Sequence, residues 1–93
     1  LTFVESNFYT RFGEIDLIFF EKKSQTLVFV EVKYRKNDFF GSPIEMVTEE
    51  KQNKILASSQ IYLLKKNWDK NVRYDIIGLN RGFDKIEWLK NAF

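Results

Sequence analysis

The chain reads as a small α/β domain in the order β-β-β-α-β-β, and three observations carry that reading. Stretches rich in β-branched and aromatic residues recur at Thr2 to Glu5, Gly13 to Phe20, Leu27 to Arg35, Arg73 to Leu79 and Lys85 to Leu89. One segment in the middle, Thr48 to Asn67, instead repeats its apolar residues at helical spacing. The length, 93 residues, suits one domain spanning 1–93.

Each element has a local reason. Glu21-Lys22-Lys23-Ser24-Gln25-Thr26 is polar and of hairpin length, so the second and third strands are expected to pair antiparallel. Leu27 to Val30 is apolar on both faces and reads as the central strand. Ser42-Pro43-Ile44-Glu45 combines a capping Ser, a first-turn Pro and a third-position Glu, which predicts a short helical turn. Thr48-Glu49-Glu50 supplies the next N-cap, with acids at the positive end of the dipole, and Ile55, Leu56, Ser59, Tyr62 and Leu63 follow as one face. Asn80 to Asp84 has the length and composition of a second hairpin loop.

Composition removes several chemistries. There is no Cys and no His, which excludes disulfides, thiol nucleophiles, Cys/His zinc sites and His-based triads. The longest apolar runs, Leu17 to Phe20 and Leu27 to Val30, are far short of the ~18 residues of a membrane helix. With no signal peptide in view, a soluble cytoplasmic protein is the expectation. The chain opens on Leu1, which suggests a fragment trimmed at its N-terminus.

The net charge of +2 conceals a division along the chain. Lys22 to Lys36 carries five cations (Lys22, Lys23, Lys33, Arg35, Lys36) against one acid, and Lys51 to Lys66 carries four (Lys51, Lys54, Lys65, Lys66) against none. Each window is +4, leaving −6 elsewhere. A basic flank on an otherwise acidic domain is the electrostatic footprint of a polyanion site, and equally of ordinary solvated faces. Phe39 and Phe40 would either stack on a base or plug the core, and Trp68 and Trp88 read as packing residues.

The candidate chemistry lies at the end of the central strand. A four-residue loop pairing Glu21 with Thr26 sets Asp16 opposite Glu31 and Glu14 opposite Lys33. Alternation places Glu14 with Asp16 on one face and Glu31 with Lys33 on one face. Two opposed carboxylates among apolar neighbours require a positive partner, either Lys33 or a divalent cation. Oxygen-only ligands favour Mg²⁺, with Mn²⁺ as a substitute. A capped strand end with a structural ion pair is the plainer alternative. Asp75 reads as a cap or a partner of Arg73, and Glu14 as a third acid or a partner of Lys33.

Gly13-Glu14-Ile15-Asp16-Leu17-Ile18 followed by Val28-Phe29-Val30-Glu31-Val32-Lys33 resembles the YraN family of bacterial proteins. The similarity continues through Gly41 to Thr48, Lys51-Gln52, Arg73-Tyr74-Asp75 and Asn91-Ala92-Phe93, nearly the whole chain. That family is regarded as related to PD-(D/E)XK endonucleases, archaeal-type Holliday-junction resolvases among them. The resemblance implies a restriction-endonuclease-like mixed central sheet and a metal-dependent endonuclease acting on DNA, branched or damaged DNA included. Asp16 and Glu31 would be the metal-binding acids, the main-chain carbonyl of Val32 a further ligand, and Lys33 the lysine of the E-x-K motif. Gln52 or Lys51 would add a polar group facing the site. Apart from the resemblance, the basic windows offer Lys51, Lys54, Arg35 and Lys36, with Lys65 and Lys66 further along the helix, as contacts to nucleic acid. Ile15 stands where the superfamily carries Pro, and the helix that precedes the first strand in family members has no counterpart here. Junction resolution normally pairs two active sites, which makes a homodimer an arrangement to consider. The competing functional classes are a DNA-binding module that does not cut and a small interaction domain in which Glu31 and Lys33 form an ordinary ion pair.

Overall fold

A computed structural model describes residues 1–34, 47–80 and 86–93. The strands are β1 (Thr2–Thr10), β2 (Gly13–Glu21), β3 (Thr26–Tyr34), β4 (Asn71–Leu79) and β5 (Ile86–Leu89), with helix α1 (Glu49–Lys65) between β3 and β4. The five strands form one mixed sheet in the order β1-β2-β3-β4-β5. Neighbours run antiparallel except β3 and β4, which are parallel. A parallel pair needs a crossover connection, and α1 lies in it. The β-β-β-α-β-β order is the one the residue patterns predict. The expected turn at Ser42 to Glu45, residues Arg35, Lys36, Phe39 and Phe40, and the loop positions 81–84 lie outside the described residues.

The helix starts where the sequence places it. Thr48 is the N-cap and its hydroxyl accepts the Lys51 amide at 3.1 Å, while Glu49 and Glu50 occupy the first turn. On the α1 side of the sheet, Ile15, Ile18, Leu27, Phe29 and Tyr62 form a buried cluster, with Phe8 and Tyr74 against it. Tyr62 anchors it, meeting Phe8 and Phe29 edge-on at centroid distances of 5.0 and 5.7 Å. Burying one such side chain contributes about 1.5–3 kcal/mol. A second cluster of Val47, Ile55 and Ile76, with Phe93 against it, extends the core toward the C-terminus.

The opposite face is covered differently. Val28, Val30 and Ile77 pack there with Leu17, Phe19 and Val32. Phe19 of β2 and Trp88 of β5 come together at 5.9 Å across the sheet. Trp88 is oriented by Asp75, which is fully buried on β4 and accepts its indole N–H at 2.8 Å. Arg73 grips the same carboxylate with Nε and Nη2, each at 2.9 Å, and the Asn91 amide donates at 2.9 Å. Asp75 is thus a structural carboxylate whose hydrogen bonds join β4 to the chain's C-terminal end. Among the described residues, no helix is long and apolar enough to cross a membrane.

One interruption in the sheet matters for the site. Strict alternation would place Ile15 with Leu17, yet Ile15 packs with Ile18 on the α1 side while Leu17 and Phe19 lie in the other cluster. The inward–outward alternation therefore breaks between Ile15 and Leu17, while the pairing with β1 keeps one register from Glu5↔Ile18 to Thr10↔Gly13, its register shift lying between Phe3 and Glu5. On β1 the pairing passes from Ser6↔Leu17 to Phe8↔Ile15, and Asn7 between them has φ 54°. Asn is among the residues that enter this left-handed region at lowest cost, so the irregularity is written into both strands.

Candidate active site

The β2–β3 ladder has the register that the four-residue loop dictates, from Glu21↔Thr26 to Leu17↔Val30. It stops one pair short of Asp16 and Glu31. There the Asp16 side chain replaces a backbone partner: its Oδ2 accepts the amide of Val32 at 2.8 Å. The break in alternation that turns Ile15 toward α1 therefore coincides with the point where Asp16 is tied to β3.

Glu31 is the unusual group. It is 4% exposed, on the central strand, facing α1, and its Oε2 is buried without a hydrogen-bond partner. Its charged contact comes from the helix, where Lys51 Nζ lies 3.4 Å from that Oε2. Burial pushes the Glu31 carboxyl up to about 7. Asp16 adds to the rise, because a protonated Glu31 hydrogen-bonds to it and an ionised one is repelled by it; the ammonium groups of Lys51 and Lys33 oppose the rise. Two acids and two lysines therefore share one electrostatic environment at the end of the central strand.

The other candidate residues sit as follows. Lys33 is half-buried on β3, pairs in register with Gly78, and reaches Glu31 through its charge. Gln52 donates its side-chain N–H to the Val47 carbonyl at 3.1 Å, bracing the entry to α1. Lys54 is exposed and ion-paired with Glu50 at 3.4 Å, one turn along the helix surface. Glu14 accepts from Asn7 Nδ2 at 2.6 Å and pairs across the strands with Tyr9, while the β2–β3 ladder ends before a Glu14–Lys33 pairing. Arg35 and Lys36 lie outside the described residues. Among the described residues, no cluster of three or more acidic side chains suited to an ion is present, so Asp16 and Glu31 stand as a pair.

Sequence reasoning did not foresee the Asp16–Val32 amide bond or that Lys51 would form an ion pair with Glu31. The first depends on a break in strand alternation that periodicity averages away. The second had a signal: Lys51 lies three residues past the Thr48 cap, in the first turn of the helix that crosses over from β3.

A small divalent ion fits this donor set. A buried carboxylate oxygen lacks a hydrogen bond, a second carboxylate adjoins it, and both are hard oxygen donors. Mg²⁺ usually keeps several waters and takes only one or two carboxylates from the protein, so a pair is sufficient.

Fold and site together define an α/β protein with a mixed sheet and an acidic pair, buried Glu31 and half-buried Asp16, closing its central strand. A family model described as "Uncharacterised protein family UPF0102" matches residues 1–79. The chain belongs to that family, the YraN family of its motifs. A protein named as a UPF0102 protein from Vibrio parahaemolyticus is 45% identical over 94 residues, covering 99% of this chain and 76% of the relative. Similar proteins from Nitrosococcus oceani and Legionella pneumophila are 39% and 42% identical, covering all of this chain and 77% and 79% of their own lengths.

Proposed function

We propose that the protein is a metal-dependent endonuclease that hydrolyses DNA phosphodiester bonds, with branched or damaged DNA as the substrate class. The observation that carries this reading is the pairing of buried Glu31 with half-buried Asp16, with an unsatisfied Glu31 oxygen and two lysines around it. Burying like charges together is costly, and a fold that needed only a strand end would place apolar residues there. Asp16, Glu31 and the main-chain carbonyl of Val32 would hold Mg²⁺ or Mn²⁺. When bound, the ion supplies Lewis acidity toward the scissile phosphate and a more acidic water. Asp16 is held in place by the Val32 amide, so one ligand of the site is oriented before any ion arrives. Lys33 offers a positive charge beside Glu31, suited to negative charge developing on phosphate oxygens in the transition state. Lys51, Lys54, Arg35 and Lys36 would contribute contacts to the DNA backbone. The cytoplasm is the compartment such a substrate implies.

A second reading is a nucleic-acid-binding module on the same fold, and what favours it is the small acid count: two carboxylates, with no third in reach among the described residues. Incubation with branched, single-stranded and duplex DNA, with and without Mg²⁺ or Mn²⁺, separates the two. Metal-dependent cutting that disappears in Asp16→Ala and Lys33→Ala supports the nuclease. Salt-sensitive binding without cutting on any substrate supports the module and overturns the nuclease.

A further inference from the structure

The Glu31 carboxylate already has a cation. Lys51 Nζ lies 3.4 Å from Oε2, the very oxygen that lacks a hydrogen bond. The two partners differ sharply in exposure, the Glu31 side chain being 3% exposed and that of Lys51 39%. The contact is thus a solvent-reaching side chain laid over a buried charge. The Lys51 backbone is fixed, since its amide is bound by the Thr48 hydroxyl at 3.1 Å, but its four-carbon stem is free to swing outward without disturbing the helix.

We propose that Lys51 is a resident counter-cation for Glu31 that a divalent ion displaces, so that metal uptake and release of the Lys51 ammonium form one coupled step. This rests on the reading of Asp16 and Glu31 as a metal site. The physical argument is exclusion. An ion at about 2.1 Å from the carboxylate oxygen would stand in the space the ammonium now covers. A dication on the carboxylate turns the −1 that the ammonium faces into a net +1, so the lysine's attraction becomes repulsion, while the ion, doubly charged and closer, keeps its hold. One of them must leave, and the lysine has the exit. Without metal, Lys51 offsets part of the cost of the buried acid. With metal, its ammonium stands free at the rim of the site, where a phosphate would be its next partner. Lys54 makes a useful contrast, because it is engaged with exposed Glu50 and not with the acidic pair.

Linkage sets the test, since two ligands that exclude one another weaken each other by the same factor. Titration calorimetry with Mn²⁺ is run on the wild type, Lys51→Met and Lys54→Met at about pH 8.5, where Glu31 is ionised. Lys51→Met is expected to bind Mn²⁺ at least about five-fold tighter than wild type, the lower end of typical coupling between sites, and Lys54→Met to bind as wild type. Equal or weaker binding by Lys51→Met overturns the displacement while leaving the metal site standing. Absence of Mn²⁺ uptake by every variant, with DNA also present, overturns the metal site and the displacement with it. A crystal structure of the wild type loaded with Mn²⁺ checks the same point without a substitution: Lys51 Nζ is expected beyond ion-pair reach of Glu31, and an intact pair beside a bound ion refutes the proposal.

Discussion

Asp16 Oδ2 accepts the main-chain amide of Val32 at 2.8 Å, so the acid on β2 is fastened to the peptide that follows Glu31 on β3. The bond gives Asp16 two separable properties, an acceptor and a charge. Asp16→Asn retains a carbonyl oxygen for the Val32 amide and is expected to stay within about 1 kcal/mol of wild-type stability at pH 7. Asp16→Ala leaves that amide without its partner and is expected to lose about 1–3 kcal/mol. Urea denaturation of the three proteins checks this. Equal losses in both variants would show that charge, not the amide bond, is what the fold uses.

The Glu31 carboxyl, raised to about 7 from an ordinary 4.5, makes the metal-free protein sensitive to pH. The groups facing it are Asp16 on β2, Lys33 on its own strand and Lys51 on α1. Because the folded state holds this proton more tightly than the unfolded chain, the stability it contributes is fully present below about pH 4.5. That contribution is lost as pH rises through about 7. The loss is on the order of 3 kcal/mol at most. Glu31→Gln, which cannot ionise, is expected to flatten this slope and to melt higher than wild type at pH 8 in the presence of a chelator. Thermal melts across pH 5 to 8 check it, and a parallel slope in Glu31→Gln would assign the dependence to another group.

How much of this was legible beforehand differs from element to element, for physical reasons. The β2–β3 register follows from a short loop between strongly apolar strands, and α1 follows from its Thr48 cap. Strand β1 runs on to Thr10, past the expected end at Glu5, through Ser6-Asn7, which are neither β-branched nor aromatic. Asn7 is indeed a backbone irregularity, with φ 54°, but the strand continues through it. The acidic pair was visible as residue types at a spacing. What held each acid was not, since Asp16 takes a main-chain amide and Glu31 takes a lysine from an element separated from it in sequence. Asp75 shows the same limit: pairing with Arg73 was readable, whereas Trp88 and the Asn91 amide reach it only through the fold.

Asp75 is a carboxylate with a structural task. It is fully buried with bonds from Arg73, Trp88 and Asn91, and it faces away from α1. Removing one partner from a buried charge pair typically costs about 3–5 kcal/mol. Asp75→Ala is therefore expected to unfold at much lower urea concentration than wild type, with Arg73→Lys losing less because the charge survives without the two-pronged grip. If Asp75→Ala instead melts like wild type, these bonds do not hold the C-terminal end to the sheet.

Asn7 extends the argument from backbone to site. Its left-handed conformation lies between the pairs Ser6↔Leu17 and Phe8↔Ile15, opposite the break in alternation at Asp16. Asn7→Ala requires a Cβ-bearing residue with no local polar compensation to hold φ 54°, a cost of about 1–2 kcal/mol. Both Asn7→Ala and Asn7→Gly lose the bond to Glu14, but Gly adopts positive φ without steric penalty. The ordering expected in urea denaturation is therefore wild type, then Gly, then Ala. If the paired irregularity is also what brings Asp16 to the Val32 amide, hydrogen exchange at Val32 should accelerate in Asn7→Ala more than in Asn7→Gly. Unchanged protection at Val32 in Asn7→Ala would mean that Asp16 holds its position on the strength of β2 and β3 alone.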